Sequence, residues 1–222
     1  MSKQNTQNQS PASERTRVKR GHKRADYSKT TVNEILDAMP LCHVAYTFDG
    51  KPVVTPTLQW REGEHVYWHG SAASRLIRKA EGTDVCMAVT LMDGMVLARS
   101  AFHHSVNYRS VMLFGKASLI KGEAAKTASL KAMFEQWFPG RWDEMRPMLA
   151  KELKATSILS IRIDEASAKV RTGPPVDDEE DYALPIWAGI LPVTTSVGKP
   201  IDDPKNLQGL MPPASLAKFI IG

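Results

Sequence analysis

The chain has 222 residues, a net charge of +5 and two cysteines, Cys42 and Cys86, each set in an apolar, strand-like run. That length supports one substantial core without a disulfide or metal staple, and two isolated thiols exclude a disulfide framework. No apolar run approaches the ~20 residues that span a bilayer as a helix, and the N-terminus has no apolar signal core, so the sequence reads as cytoplasmic with no membrane association.

The positive charge is concentrated at one end. Residues 1–29 hold eight Lys/Arg against Glu14 and Asp26, a net +6, which leaves −1 for residues 30–222. A neutral domain without a reading helix argues against a nucleic-acid partner. The leader is rich in Gln, Asn and Ser and nearly devoid of apolar residues. It cannot repay its ordering entropy by burial, so residues 1–29 are expected to form a basic, largely disordered arm, disordered over at least residues 1–15.

In chain order, Thr31–Met39 places Val32, Ile35, Leu36 and Met39 at helical spacing before Pro40 stops it. Cys42–Phe48, Lys51–Trp60 and His65–His69 read as strands, the first two joined by Asp49-Gly50, a strong hairpin signal. Ala73, Leu76, Ile77 and Ala80 then share one helical face, with Arg75, Arg78 and Lys79 together on another and Gly82 as the stop. Val85–Leu91 reads as a buried strand, Asp93-Gly94 as a second turn, Met95–Ala98 as a further run and Arg99–Arg109 as a polar loop. Ser110–Ile120 is a long strand. Gly122–Phe138 is a helix, with Leu130, Met133, Phe134 and Trp137 at i, i+3, i+4, i+7 and Pro139-Gly140 as breaker. Trp142–Ala155 reads as a second helical stretch, and Thr156–Ile163 and Ser167–Arg171 as the last strands. The acidic run Asp177–Asp181 reads as a solvated turn.

Three regions follow: the arm at 1–29, one domain at 30–193 and an irregular, Pro-rich tail at 194–222. Short neighbouring strands joined by tight turns imply a mainly β domain with accessory helices, its antiparallel sheet closing into a barrel.

Ser71-Ala-Ala-Ser-Arg-Leu-Ile-Arg-Lys79 follows a strand, opens a helix with hydroxyls and adds three cations within two turns. Helix-start N–H groups, Ser hydroxyls and an Arg that can grip bidentately suit a phosphate. A capped surface helix with a solvated basic face fits the same residues. His103-His104 suggests a metal pair, but adjacent strand residues face opposite ways and no neighbouring Cys/Asp/Glu cluster accompanies them, so no metal site is expected.

Several segments in fixed order resemble a known family: Arg15–Tyr27, Leu41–Val44, Val66–Arg75, Val85–Gly115 (longest at Asp93–Val111), Lys154-Ala-Thr, Glu165–Arg171 and Trp187-Ala-Gly. Together they are similar to the FMN-binding split-barrel superfamily of pyridoxamine 5′-phosphate oxidase, in its nitroimidazole-reductase-like branch. The resemblance implies a six-stranded antiparallel Greek-key split barrel that forms a homodimer, with FMN in clefts at the subunit interface. It implies that Ser71, Ser74, Arg75 and Lys79 hold the phosphate and that Val54, Thr55, Pro56 and Thr57 run beside the flavin ring and ribityl chain. It further places His69 near the ring, Tyr108, Arg109 and Ser110 at the start of a flavin-proximal strand, and Trp187 at the cleft of the partner subunit. The oxidase's own Arg-x-Val-Leu-x-Lys and Arg-Leu-His signatures are absent, so pyridoxamine phosphate is not the expected substrate. The expected activity is electron transfer from a reduced nicotinamide to a small nitroaromatic- or quinone-like acceptor, with no side chain singled out as catalytic. The other reading is a carrier or sensor module that binds flavin, deazaflavin or haem without turnover.

Overall fold

A computed structural model of the chain describes residues 10–222. Its strands and helices in order are β1 (Ala25–Asp26), α1 (Lys29–Ala38), β2 (Leu41–Phe48), β3 (Lys51–Glu62), β4 (His65–Ser71), α2 (Arg75–Ala80), β5 (Asp84–Leu97), β6 (Ser105–Lys116), β7 (Ser118–Leu119), α3 (Glu123–Trp137), α4 (Ala150–Ala155), β8 (Thr156–Arg162), β9 (Glu165–Arg171) and β10 (Gly189–Pro192). Among the described residues no helix is long and apolar enough to cross a membrane.

The Asp49-Gly50 signal produces the hairpin it promises. Asp49 and Gly50 both take positive φ, 49° and 72°, and Phe48 pairs directly with Lys51, as a type I′ turn requires. β3 then serves two sheets. Its first part pairs with β2 as far as Leu58, and Gln59–Glu62 pair with Trp68–His65 of β4. The full order is β1-β9-β6-β5-β2-β3-β4-β8-β7, with β10 added on β5, and every pairing is antiparallel. This is the split-barrel architecture, with two corrections. The sheet has ten strands rather than six, because short β1, β7 and β10 extend it, and its end strands do not pair with each other, so the barrel stays open.

Alternation along the strands builds the interior. Val44, Tyr46, Trp68, Met87, Leu113, Leu159 and Ile161 point inward, and Val32, Ile35 and Leu36 of α1 pack into the same core. A second apolar cluster joins Trp60 and Ile158 to Leu130, Met133 and Trp137 of α3 and Leu153 of α4 on the outside of the sheet. Buried Gln59 ties these layers together. Its amide donates to the carbonyls of Leu36 and Met39, both at 2.7 Å, while Trp137 Nε1 donates to its backbone carbonyl at 2.9 Å. Gln59→Leu keeps the volume but strands both carbonyls, so a loss of about 2–4 kcal/mol is expected in urea unfolding.

Three sequence expectations need correction. Asp93-Gly94 is not a turn: β5 runs through it, with a register shift between Met92 and Gly94. Glycine is required there because β10 passes close by, and a Cβ would meet the Leu191 carbonyl oxygen at 3.0 Å. The stretch Trp142–Ala155 is not one helix. A 3-10 turn (Arg141–Glu144) leads into extended chain, and α4 begins only at Ala150, beyond Pro147. Residues 10–29 of the arm lie against the barrel rather than free. The Arg15 guanidinium pairs with Glu165 and sits 5.2 Å over the Phe114 ring, Val18 N donates to Tyr27 Oη at 2.9 Å, and β1 pairs with β9. The arm achieves this with cation stems and specific polar contacts, which a count of apolar residues does not register. Residues 1–9 lie outside the described residues.

Candidate cofactor site at the barrel split

Where β3 turns from β4 toward β2, the two strands part. Thr57 Oγ1 reaches the His69 carbonyl across this gap at 3.5 Å. β4 ends at Gly70-Ser71, and α2 sits tightly on it: a Cβ at Gly70 would lie 3.3 Å from Ile77 Cγ1. Ser71 Oγ accepts from Ala73 N and Ser74 Oγ from Ile77 N, both at 3.2 Å, so the hydroxyls shape the turn into α2.

The three cations of α2 separate into two groups. The Arg75 guanidinium and the Lys79 ammonium stand side by side on the Phe48 ring, 5.1 and 5.2 Å from its centroid. Both residues are exposed, and among the described residues neither is ion-paired. Arg78 turns away, and its Nε donates to the Ala72 carbonyl at 3.2 Å. Val54–Thr57 line the adjoining half of β3, with Val54 mostly exposed.

A cavity of about 930 Å³ opens on the other side of His69, between β4 and the α3–α4 segment. Leu130, Met133, Phe134, Trp142 and Met148 give it apolar walls, and His69 enters it from the sheet. The His69 ring centroid lies 5.9 Å from that of Trp60, and its Nδ1 is buried without a partner among the described residues. Burial pushes its pKa down, so the imidazole is neutral at physiological pH. Two ion pairs mark the rim. Arg146 bonds Glu152 at 2.5 Å and holds its carboxyl down at about 2, and Arg141 bonds Glu144 at 3.1 Å. Sequence reasoning missed this cavity. Met133 and Phe134 read as an ordinary helix face and Trp142–Met148 as part of a helix, and only the β4–β8–α3 packing sets them around His69.

The remaining predicted residues stand elsewhere. Arg109 is clamped by Asp93, with Nη2 to Oδ1 at 2.7 Å and Nε to Oδ2 at 3.0 Å, and Ser110 Oγ donates to the Lys169 carbonyl at 3.3 Å. Tyr108 pairs with Met92 well up β5. Trp187, 69% exposed, folds over Gly189 beside the far end of β5. From Cys86, level with Ala45 and Val54, it is roughly 36 Å along β5 to Leu97, which pairs with Gly189, but only roughly 13–20 Å to Thr90–Met92, the partners of Ser110–Tyr108, at ~3.3 Å per residue. Val54–Thr57, His69, Ser71, Ser74, Arg75 and Lys79 thus lie around the split, Tyr108–Ser110 lie on β6 beyond β5 and β2, and Trp187 of the same chain is at the far end of β5. The outer sheet face between the two groups carries exposed Leu41, Val54, Met92 and Met112.

The model of the pyridoxamine 5′-phosphate oxidase family matches residues 28–170. The flavocytochrome Anf3 from Azotobacter vinelandii is 51% identical over 96% of this chain and 99% of its own, with a TM-score of 0.93. The FAD and haem binding protein from Mycobacterium smegmatis is 36% identical over 89% of this chain and 97% of its own, with a TM-score of 0.85. A candidate 5-nitroimidazole antibiotic resistance protein from Bacteroides thetaiotaomicron shares the fold at 20% identity, over 66% of this chain and 86% of its own, with a TM-score of 0.56. No curated protein matches the chain. A family model spanning well over half of the sequence, and a structure half identical along nearly all of it, give one result: the chain belongs to the pyridoxamine 5′-phosphate oxidase-like family of split-barrel proteins.

Proposed function

We propose that this protein binds a flavin at the split and a haem in the α3 cavity, and that it works as a cytoplasmic, homodimeric oxidoreductase. The reading rests chiefly on His69, whose backbone carbonyl meets Thr57 at the split while its imidazole, neutral and with an orphaned nitrogen, enters a 930 Å³ cavity. Such a volume falls within the ~300–1,000 Å³ usual for cofactor pockets, and Met, Phe and Trp walls suit a flat apolar ring system. The two most similar structures described above are a flavocytochrome and a protein that binds FAD and haem.

The residues present fit both groups. Arg75 and Lys79, without a carboxylate partner among the described residues and set on Phe48, would hold a phosphate, with the Ser71 and Ser74 hydroxyls at the same turn. Val54–Thr57 flank the ring side. His69 would offer an unprotonated nitrogen to iron, between apolar walls of Leu130, Met133, Phe134, Trp142 and Met148 and a charged rim. When bound, the flavin accepts a hydride and releases electrons singly, and the haem iron carries one electron at a time. The chain's part is to hold the two groups on either side of one strand, orient them and exclude solvent. The exposed apolar sheet face is the dimer surface in this reading. Across it, Tyr108–Ser110 and Trp187 of a second copy close the flavin cleft, from which Trp187 of the same chain is separated by roughly 36 Å of β5.

Anaerobic reduction by NADH or NADPH, followed by addition of a nitroaromatic or a quinone, tests the activity. Reduction and reoxidation over many cycles are expected, while a single stoichiometric reduction with no turnover supports the carrier reading instead. Chromatography of the acid-released flavin assigns FMN, expected from the single cationic cluster, against FAD or a deazaflavin.

A further inference from the structure

We propose that His103, Asp178 and Asp181 form a binding site for one divalent transition-metal ion of the Zn²⁺ or Mn²⁺ class, distinct from the flavin and haem positions. The sequence shows no acidic cluster beside His103, but the fold brings one to it from more than seventy residues away. One nitrogen or oxygen from each of these three residues lies within 4.8 Å of the others, and His103 Nε2 is 3.8 Å from Asp178 Oδ1.

Three features build the site. Asp178 caps the 3-10 turn Glu179–Ala183, and Asp181 N donates to the Asp178 carbonyl at 3.0 Å, so the turn sets two carboxylates on one side. His103 Nδ1 bonds Ser100 Oγ at 2.9 Å. With the serine oxygen accepting, that bond leaves the Nε2 lone pair directed at the carboxylates, the orientation that outer partners give metal-ligating histidines. The two loops are locked together without help from any ion. Arg99 N and Nη1 donate to the fully buried Asp177 carboxylate at 3.0 and 2.9 Å, and the guanidinium lies 4.9 Å over the Tyr182 ring. Asp178 and Asp181 have no Lys or Arg in ion-pair contact among the described residues. A cation is the missing counter-charge.

The donor set selects the ion. One imidazole and two carboxylates with open positions for water suit a borderline transition metal, whereas Ca²⁺ and Mg²⁺ favour all-oxygen shells. Tetrahedral bonds of ~2.1 Å put ligand atoms ~3.4 Å apart, so closure needs about 1 Å of side-chain rotation. Asp178 is exposed and free to make it. An ion here pins the 177–183 turn to the 99–104 loop, at the base of the segment that leads to Trp187 and β10.

The test is calorimetric titration of the holoprotein, stripped with EDTA and desalted, with ZnCl₂ and separately with MnCl₂. One ion per chain is expected for at least one of them. His103→Ala and Asp181→Asn each weaken binding roughly tenfold or more, and Ser100→Ala, which removes only the orienting bond, weakens it up to about tenfold. His104→Ala and Glu180→Gln leave it unchanged, and all variants keep wild-type cofactor content and melting temperature. The absence of saturable binding overturns the proposal. So does binding that survives His103→Ala but falls with Glu180→Gln, since the exposed acidic run alone would then hold the ion.

Discussion

Replacing His69 with alanine is expected to strip haem from the protein and leave its flavin content unchanged. Among the described residues His69 is the one side chain that enters the α3 cavity from the sheet with a buried, unpartnered nitrogen, and the residues lining the cavity include thioethers, rings and a charged rim but no second imidazole. The Soret band should fall to near zero in His69→Ala, and imidazole added to the buffer should restore it by filling the vacated ligand position. That rescue distinguishes lost ligation from a collapsed fold, because a misfolded cavity does not recover with a small base. The pH dependence has a definite sign. Burial favours the neutral imidazole, so protonation requires a lower pH than the ~6.5 of a free histidine. The haem band should persist through pH 6.5 and fade only in stronger acid. A Soret band unaltered in His69→Ala would place the iron on another residue.

Arg75→Ala is expected to weaken FMN binding by about 10- to 150-fold, the range for losing a charge-assisted bond of roughly 1.5–3 kcal/mol. Arg78→Ala should cost well under 1 kcal/mol. The contrast follows from the two side chains' positions. Arg75 shares the Phe48 ring with Lys79 and has no carboxylate on it among the described residues, whereas Arg78 is occupied with the Ala72 carbonyl. Lys79→Ala should fall between them, since a point charge lacks the bidentate grip of a guanidinium. Titrating apo-protein with FMN and with riboflavin separates phosphate recognition from pocket integrity. Arg75→Ala should leave riboflavin affinity nearly untouched, and equal losses for both ligands would assign Arg75 to the fold instead.

Signals that are local in sequence were legible. Asp49-Gly50 fixes its hairpin through two positive φ angles, and Leu130, Met133, Phe134 and Trp137 set α3 within a residue of its observed ends. The strand–turn–helix at 65–80 likewise reads directly from its change of period. What stayed hidden depends on residues far apart in the chain. Asp93-Gly94 has turn composition, but its glycine answers to β10, which arrives about a hundred residues later. Asp93 itself is engaged by Arg109 on the neighbouring strand. Pro147 and the wall around His69 broke a stretch that looked helical. Of the residues assigned by resemblance, those on β3, β4 and α2 gather around the split, while Tyr108–Ser110 lie on β6 level with the middle of β5 and Trp187 stands at the far end of β5, where strand register rather than motif order decides distance. The His103–Asp178–Asp181 group was unreadable for the same reason: its members belong to loops far apart in the chain, brought together by the buried Arg99–Asp177 pair and the Arg99–Tyr182 contact.

The absorbance spectrum of the protein as purified, without added cofactor, bears on the whole account at once. Flavin bands together with a Soret band, each at close to one equivalent per chain after acid or pyridine extraction, are the predicted result. A colourless protein, or one that lacks either chromophore even after reconstitution with flavin and haemin, would contradict it.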